Sequence, residues 1–178
     1  MSAPEIVDIE PRLEFPDAVP VDRLVASLPP APAPAERLHD LDFLLGDFRV
    51  RYVNLTTPQP TIGEARWDTR VVNGGHHYEM TQTISVPGIT AKWIFGWDQL
   101  ADEFVSFYYD DWGNYSTATS PGWQDGHLRF SGECLAFGGR YRFQEDLQVV
   151  GENHYRKIGF LWLDGKCVQG DLINCHRI

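Results

Sequence analysis

The chain has 178 residues, 43% of them hydrophobic and 13% aromatic, and a formal net charge of -10. That length suits one domain plus a tail, and that apolar share is enough to fill a core. The Arg and Lys residues are scattered singly, so the chain lacks the basic face that releases counterions from phosphates, which excludes nucleic acid and anionic membrane surfaces as partners.

The three cysteines, Cys134, Cys167 and Cys175, are too few and too irregular for a disulfide framework, and no CxxC spacing points to zinc. No basic patch precedes an apolar run near residue 1, and no stretch approaches the length of a membrane span. The expectation is a cytoplasmic protein with no metal and no cofactor. A homodimer is left open.

Residues 1–36 hold eight of the 12 prolines. Alternating proline and alanine from Pro29 to Ala35 predict an extended, flexible arm, with room for one amphipathic turn at Val21 to Leu28. Residues 37–178 form the predicted domain. It opens on a short helix from Ala35 to Gly46, in which Leu38, Leu41, Leu44 and Leu45 recur at three- and four-residue spacing before a glycine stop.

From Asp47 onward the period changes to two, and turn residues punctuate the chain. Strands are predicted at 47–54, 63–72, 76–85, 90–98, 103–110, 114–120, 127–134, 139–150, 153–163 and 167–176. Asp125-Gly126 and Asp164-Gly165 are strong hairpin signals, because both central residues of such a turn need positive φ. Short connections throughout give an all-β fold: a closed up-and-down antiparallel β-barrel of about ten strands with a short N-terminal helix, closure being what removes the free edges.

Alternation then assigns the faces. Phe48, Val50 and Tyr52 share one, as do Ala65, Trp67, Thr69 and Val71. Trp93, Phe95 and Trp97 form a row, and so do Phe104, Ser106, Tyr108 and Asp110. Tyr141, Phe143, Glu145 and Leu147 form another, and His154, Arg156, Ile158, Phe160 and Trp162 the last. These rows are expected to face inward.

The run Leu41-Asp42-Phe43-Leu44-Leu45-Gly46-Asp47-Phe48 resembles the LxFLxGxW opening of small bacterial lipocalin-like (calycin) barrel domains of unknown function, and nitrobindin-type barrels are more distant relatives. Gly74-Gly75, Gly96-Trp97-Asp98, Asp111-Trp112-Gly113 and Gly122-Trp123 add to the likeness, which covers roughly residues 38–176. Phe48 stands where such domains often carry Trp. Nitrobindins bind haem through a histidine in a glycine-rich context near the C-terminus, a context this sequence does not match.

The candidate site is built from polar residues that interrupt inward rows. Glu145 and Arg156 break two apolar rows on adjacent strands and are expected to meet diagonally inside the barrel, as a ligand anchor or as a structural salt bridge, the remaining alternative being a bulge that places one of them outside. His76 is the candidate proton-transfer group, the alternative being a rim histidine bonded to turn backbone. Asp110, grouped with His76 and Glu145 as a candidate catalytic residue, either orients a histidine or binds a ligand hydroxyl, the alternative being that it caps the turn that follows it. Trp67, Tyr78, Trp93, Trp97, Tyr108, Tyr141 and His154 are the expected ligand-binding wall, with a packed core as the alternative. No metal site is expected, since His76, His154 and His176 are not forced together.

The leading expectation is a protein that binds a small hydrophobic or aromatic molecule inside the barrel. An enzyme needing no cofactor (a cyclase, isomerase or lyase acting on a polyketide-like or aromatic substrate with an acid–base pair in the lumen) is the second. A third is an interaction module that uses the proline-rich arm.

Overall fold

The computed structural model describes residues 21–56, 58–136 and 138–178. Proximity along the backbone divides the chain into residues 1–32 and 33–178. In the first unit, Val21–Ser27 forms a seven-residue helix, α1, with no buried residue, in the stretch read as an amphipathic turn. The arm expected over residues 1–20 lies outside the described residues.

The second unit begins with a 3-10 helix, Glu36–Leu44. Leu38, Leu41 and Leu44 recur at intervals of three, the period of this helix, so all three fall on one face and all three are buried. The expected helix is present, but its tighter winding leaves Leu45 outside it as the flanking residue.

Among the described residues eleven strands follow: β1 (Gly46–Asn54), β2 (Thr61–Val72), β3 (His77–Ile84), β4 (Ile89–Asp98), β5 (Glu103–Asp110), β6 (Tyr115–Ser120), β7 (Trp123–Gln124), β8 (His127–Ala136), β9 (Gly139–Gly151), β10 (His154–Leu163) and β11 (Lys166–Arg177). Ten of them run β6-β5-β4-β3-β2-β1-β11-β10-β9-β8, and a β6–β8 ladder closes the ring. All the ladders are antiparallel. This is the expected closed barrel. The two-residue β7, which pairs only with β8, is too short to show any alternation in sequence.

The two ends of the barrel differ. At one, the 3-10 helix lies across the core: Phe43 meets Trp123 and Tyr155 edge-on at 5.4 and 5.5 Å, and the Trp123 indole donates to the Asp40 carbonyl at 3.2 Å. Tyr78 donates to Asp42 Oδ1 at 2.5 Å, and the Arg177 guanidinium reaches the carbonyls of Leu45 and Phe43. Below this lid, Phe48, Met80, Phe95, Phe104, Leu128, Phe130, Leu147 and Tyr155 fill the barrel. The other end carries the β1–β2, β3–β4, β5–β6, β8–β9 and β10–β11 connections. There the inward positions include Ala65, Ser116, Cys134 and Gly159, too small to meet across the lumen, and the barrel stays open.

One strand is turned over relative to expectation. Tyr155 and Lys157 are buried in the barrel, whereas Arg156 lies on the outer face with its Nη2 donating to Gln148 Oε1. The β9–β10 hairpin turns on Glu152 and Asn153, and an irregularity follows between His154 and Tyr155, so Leu147 pairs with Lys157 rather than with Arg156. A slip of one residue sends every side chain to the opposite face.

Candidate functional site

The open end holds a cavity of about 420 Å³. Its wall includes Trp67, Trp93, Tyr108, Trp112, Phe143 and Phe160, and its charged part is formed by Glu145, Lys157 and Asp171, with Asn54, Gln82, Asn114 and Ser116 among the uncharged polar groups. Lys157 comes from β10, Glu145 from β9 and Asp171 from β11, so three adjacent strands supply one charged cluster. Lys157 Nζ lies 2.5 Å from Glu145 Oε2 and 3.4 Å from Asp171 Oδ2. Glu145 opposes Gly159 and so stands diagonal to Lys157, the relation expected of Arg156.

Glu145 and Lys157 are shut away from bulk water, with side-chain exposures of 17% and 7%. Burial pushes the Glu145 carboxyl up, Lys157 pulls it back, Asp171 pushes it up again, and it comes to about 7. For Lys157, burial works to neutralise the amine, but Asp171 and Glu145 outweigh burial and hold it above its ordinary range as an ammonium. Two carboxyl groups thus share one cation, and a proton on Glu145 near neutrality is how the cluster balances its charge.

Two more groups face this cluster. Burial raises the Tyr108 hydroxyl far above its usual range, with Asp110 adding to the effect. Cys134 is raised by burial and by Glu145. Both remain neutral around neutral pH. Lys157 Nζ also lies 5.9 Å from the Trp93 ring centroid, an ammonium over an aromatic face. The Trp67 indole N–H, in the same wall, finds no hydrogen-bond partner among the described residues.

Of the residues expected at a site, Glu145, Trp67, Trp93 and Tyr108 meet around the cavity. Arg156 does not, for the register reason above. Asp110 accepts the Tyr108 hydroxyl at 3.1 Å, and at the same time caps its turn by accepting from the Trp112 and Asn114 amides at 3.0 and 2.9 Å.

The others lie away from the cavity. His76 follows Gly74 and Gly75, both at positive φ, and adopts a helical turn conformation before β3 begins at His77. Strand alternation therefore never applied to it, and its turn belongs to the lidded end. Tyr78 is buried against Asp42, and Trp97 packs edge-on against Phe104 at 4.8 Å with Arg37 over its ring. His154 stacks on His176 at 4.0 Å between centroids. Tyr141 folds towards Gly139, where an added Cβ would fall 2.2 Å from its hydroxyl.

Lys157 and Asp171 were not among the expected site residues. Their signal in the sequence is the Gly159 and Gly170 pair: two glycines on neighbouring strands mark a place where side chains were cleared from the lumen. None of the six histidines lines the cavity, so the wall offers no imidazole to a haem iron. Among the described residues no group of three or more His, Cys, Asp or Glu is arranged to hold a metal ion, and no helix is long and apolar enough to cross a membrane.

No family model and no curated protein sequence matches the chain. Solved structures do. Rv2717c from M. tuberculosis superposes with a TM-score of 0.61 at 11% identity, over 82% of this chain and 99% of that one. A protein of unknown function from the DUF3598 family of Nostoc punctiforme gives 0.42 at 17% identity, over 86% of this chain and 53% of that one. The likeness to Rv2717c shows a shared fold.

Proposed function

We propose that this barrel binds a small, largely apolar or aromatic molecule through its open end, with a polar group of the ligand set against Glu145, Lys157 and Asp171. The observation that carries the reading is the aromatic-walled cavity of about 420 Å³ over a packed floor. Small-molecule sites are concave and mostly apolar, with few polar groups, and a volume of this order suits such a ligand.

A neutral fluorescent probe, N-phenyl-1-naphthylamine, tests it. Saturable binding with quenching of tryptophan emission is expected, and Ser116→Phe, which fills the lumen, should abolish it while leaving the far-ultraviolet spectrum unchanged. Equal binding by wild type and the filled variant would place the probe elsewhere and sink the reading. Native mass spectrometry of protein from its own host would show what the cavity retains.

A second reading, an acid–base enzyme needing no cofactor, is favoured by one observation: Glu145 is poised at about 7 inside the cavity, where a carboxyl group gives and takes a proton with equal ease. Turnover that follows Glu145 titration and vanishes in Glu145→Gln is its test.

A further inference from the structure

The charge on the polar side of the cavity says what kind of polar group the ligand carries, granted that the cavity binds a ligand at all. Among the described residues Lys157 is the one cation of the lining. It is already spent on Glu145 at 2.5 Å and Asp171 at 3.4 Å. The groups that face Glu145 from the other packed strands are Tyr108 on β5, whose hydroxyl donates to Asp110, and Cys134 on β8, and neither brings positive charge. Counted over the cluster, two carboxylates meet one ammonium.

From this imbalance we infer that the cavity selects an aromatic or apolar amine whose ammonium lodges beside Glu145 and Asp171, in preference to an anion or a neutral isostere. An anionic ligand would bring a third negative charge to a half-buried cluster that holds a single cation among the described residues. A neutral ligand leaves the surplus carboxylate as it was. An ammonium supplies the missing countercharge, in a wall that includes the Trp67 and Trp93 rings. Lys157 over the Trp93 ring already shows an ammonium accommodated in that setting.

The empty site meets the same surplus with a proton on Glu145. Amine binding therefore displaces that proton, and the two are linked. With Glu145 at about 7, its ionised fraction rises about tenfold from pH 6 to pH 8, and amine affinity rises with it.

The experiment compares three ligands sharing one ring system: 2-(aminomethyl)naphthalene, 2-naphthylmethanol and 2-naphthoate, titrated calorimetrically at pH 6, 7 and 8. The amine is expected to bind at least tenfold tighter than the alcohol at pH 8, to tighten about tenfold from pH 6 to pH 8, and to release a proton seen as buffer-dependent heat. Naphthoate should be weakest. Glu145→Gln should remove the pH slope, and Asp171→Asn should shrink the preference for the amine. An alcohol that binds as tightly as the amine, or an amine affinity flat with pH in the wild type, overturns the inference and leaves the cavity reading standing. If none of the three binds while N-phenyl-1-naphthylamine does, the inference falls and the cavity reading stands; if that probe fails as well, the cavity reading itself falls. The wild-type comparison decides the matter even where a variant fails to fold.

Discussion

Gly159 and Asp171 stand opposite each other on β10 and β11, and the Gly159 amide donates to Asp171 Oδ1 at 3.1 Å. A Cβ on Gly159 would fall 2.8 Å from that same oxygen. The missing side chain is thus what allows Asp171 to lean in towards Lys157. Gly159→Ala should displace Asp171, relieve its repulsion of Glu145, and move the Glu145 titration down. Carbon-13 NMR of the glutamate carboxyls reads this directly, and an unmoved titration would show that Asp171 does not help set it.

Glu145 links stability to pH. Its folded-state pKa of about 7 lies above the ordinary 4.5, so the native state binds the extra proton. The stability due to that proton is fully present below pH 4.5 and is lost as pH rises through 7. Glutamine mimics the protonated form. The melting temperature of Glu145→Gln should therefore gain on that of the wild type as pH rises from 5 to 8, by an amount on the order of 2 kcal/mol in stability. A gap that narrows over that range would reverse the assignment.

Lys157 and Arg156 should behave oppositely. Lys157→Met strands two carboxyl groups in the barrel and is expected to cost about 3–5 kcal/mol in urea unfolding at pH 8. Arg156→Leu, on the outer face, should leave the affinity for N-phenyl-1-naphthylamine within about twofold. A tenfold loss from Arg156→Leu would mean that β10 is registered the other way round.

The β6–β8 seam tolerates no side chain at Gly132, where a Cβ would come within 1.9 Å of the Thr117 carbonyl oxygen on β6. Backbone cannot swing aside as a flexible side chain does. Gly132→Ala should destabilise by at least about 2 kcal/mol, and hydrogen exchange should accelerate first in β6 and β8. A melting curve unchanged from that of the wild type would argue against the seam.

Much of the barrel was legible because its turns are written in residues that tolerate positive φ. Asn73, Asp125 and Asp164 all adopt it, each followed by a glycine that does too, and each marks a strand end within a residue or two. Faces were legible wherever alternation ran without interruption, as in β4 and β5. They were not legible in β10, where His154, Arg156, Ile158, Phe160 and Trp162 make the more apolar row by composition. Their competitors, Tyr155, Lys157 and Gly159, win through pairing with β9, while towards β11 a second irregularity after Gly159 skips Gly170. Register is a property of two strands, so one strand read alone cannot supply it. Glu145 was found because it interrupts a row whose register runs regularly from β8.

Ring closure also has a consequence for biosynthesis. β1 pairs with β11, so the earliest strand to leave the ribosome waits for the latest before its second edge is covered. Until then the growing sheet keeps an apolar face and an unfinished edge, the combination that invites another chain to add a strand. A chain cut short within β11 would not be a slightly smaller barrel but an open, adhesive sheet. Chaperone dependence during synthesis should thus end abruptly with the arrival of the Lys166–Arg177 segment rather than decline strand by strand.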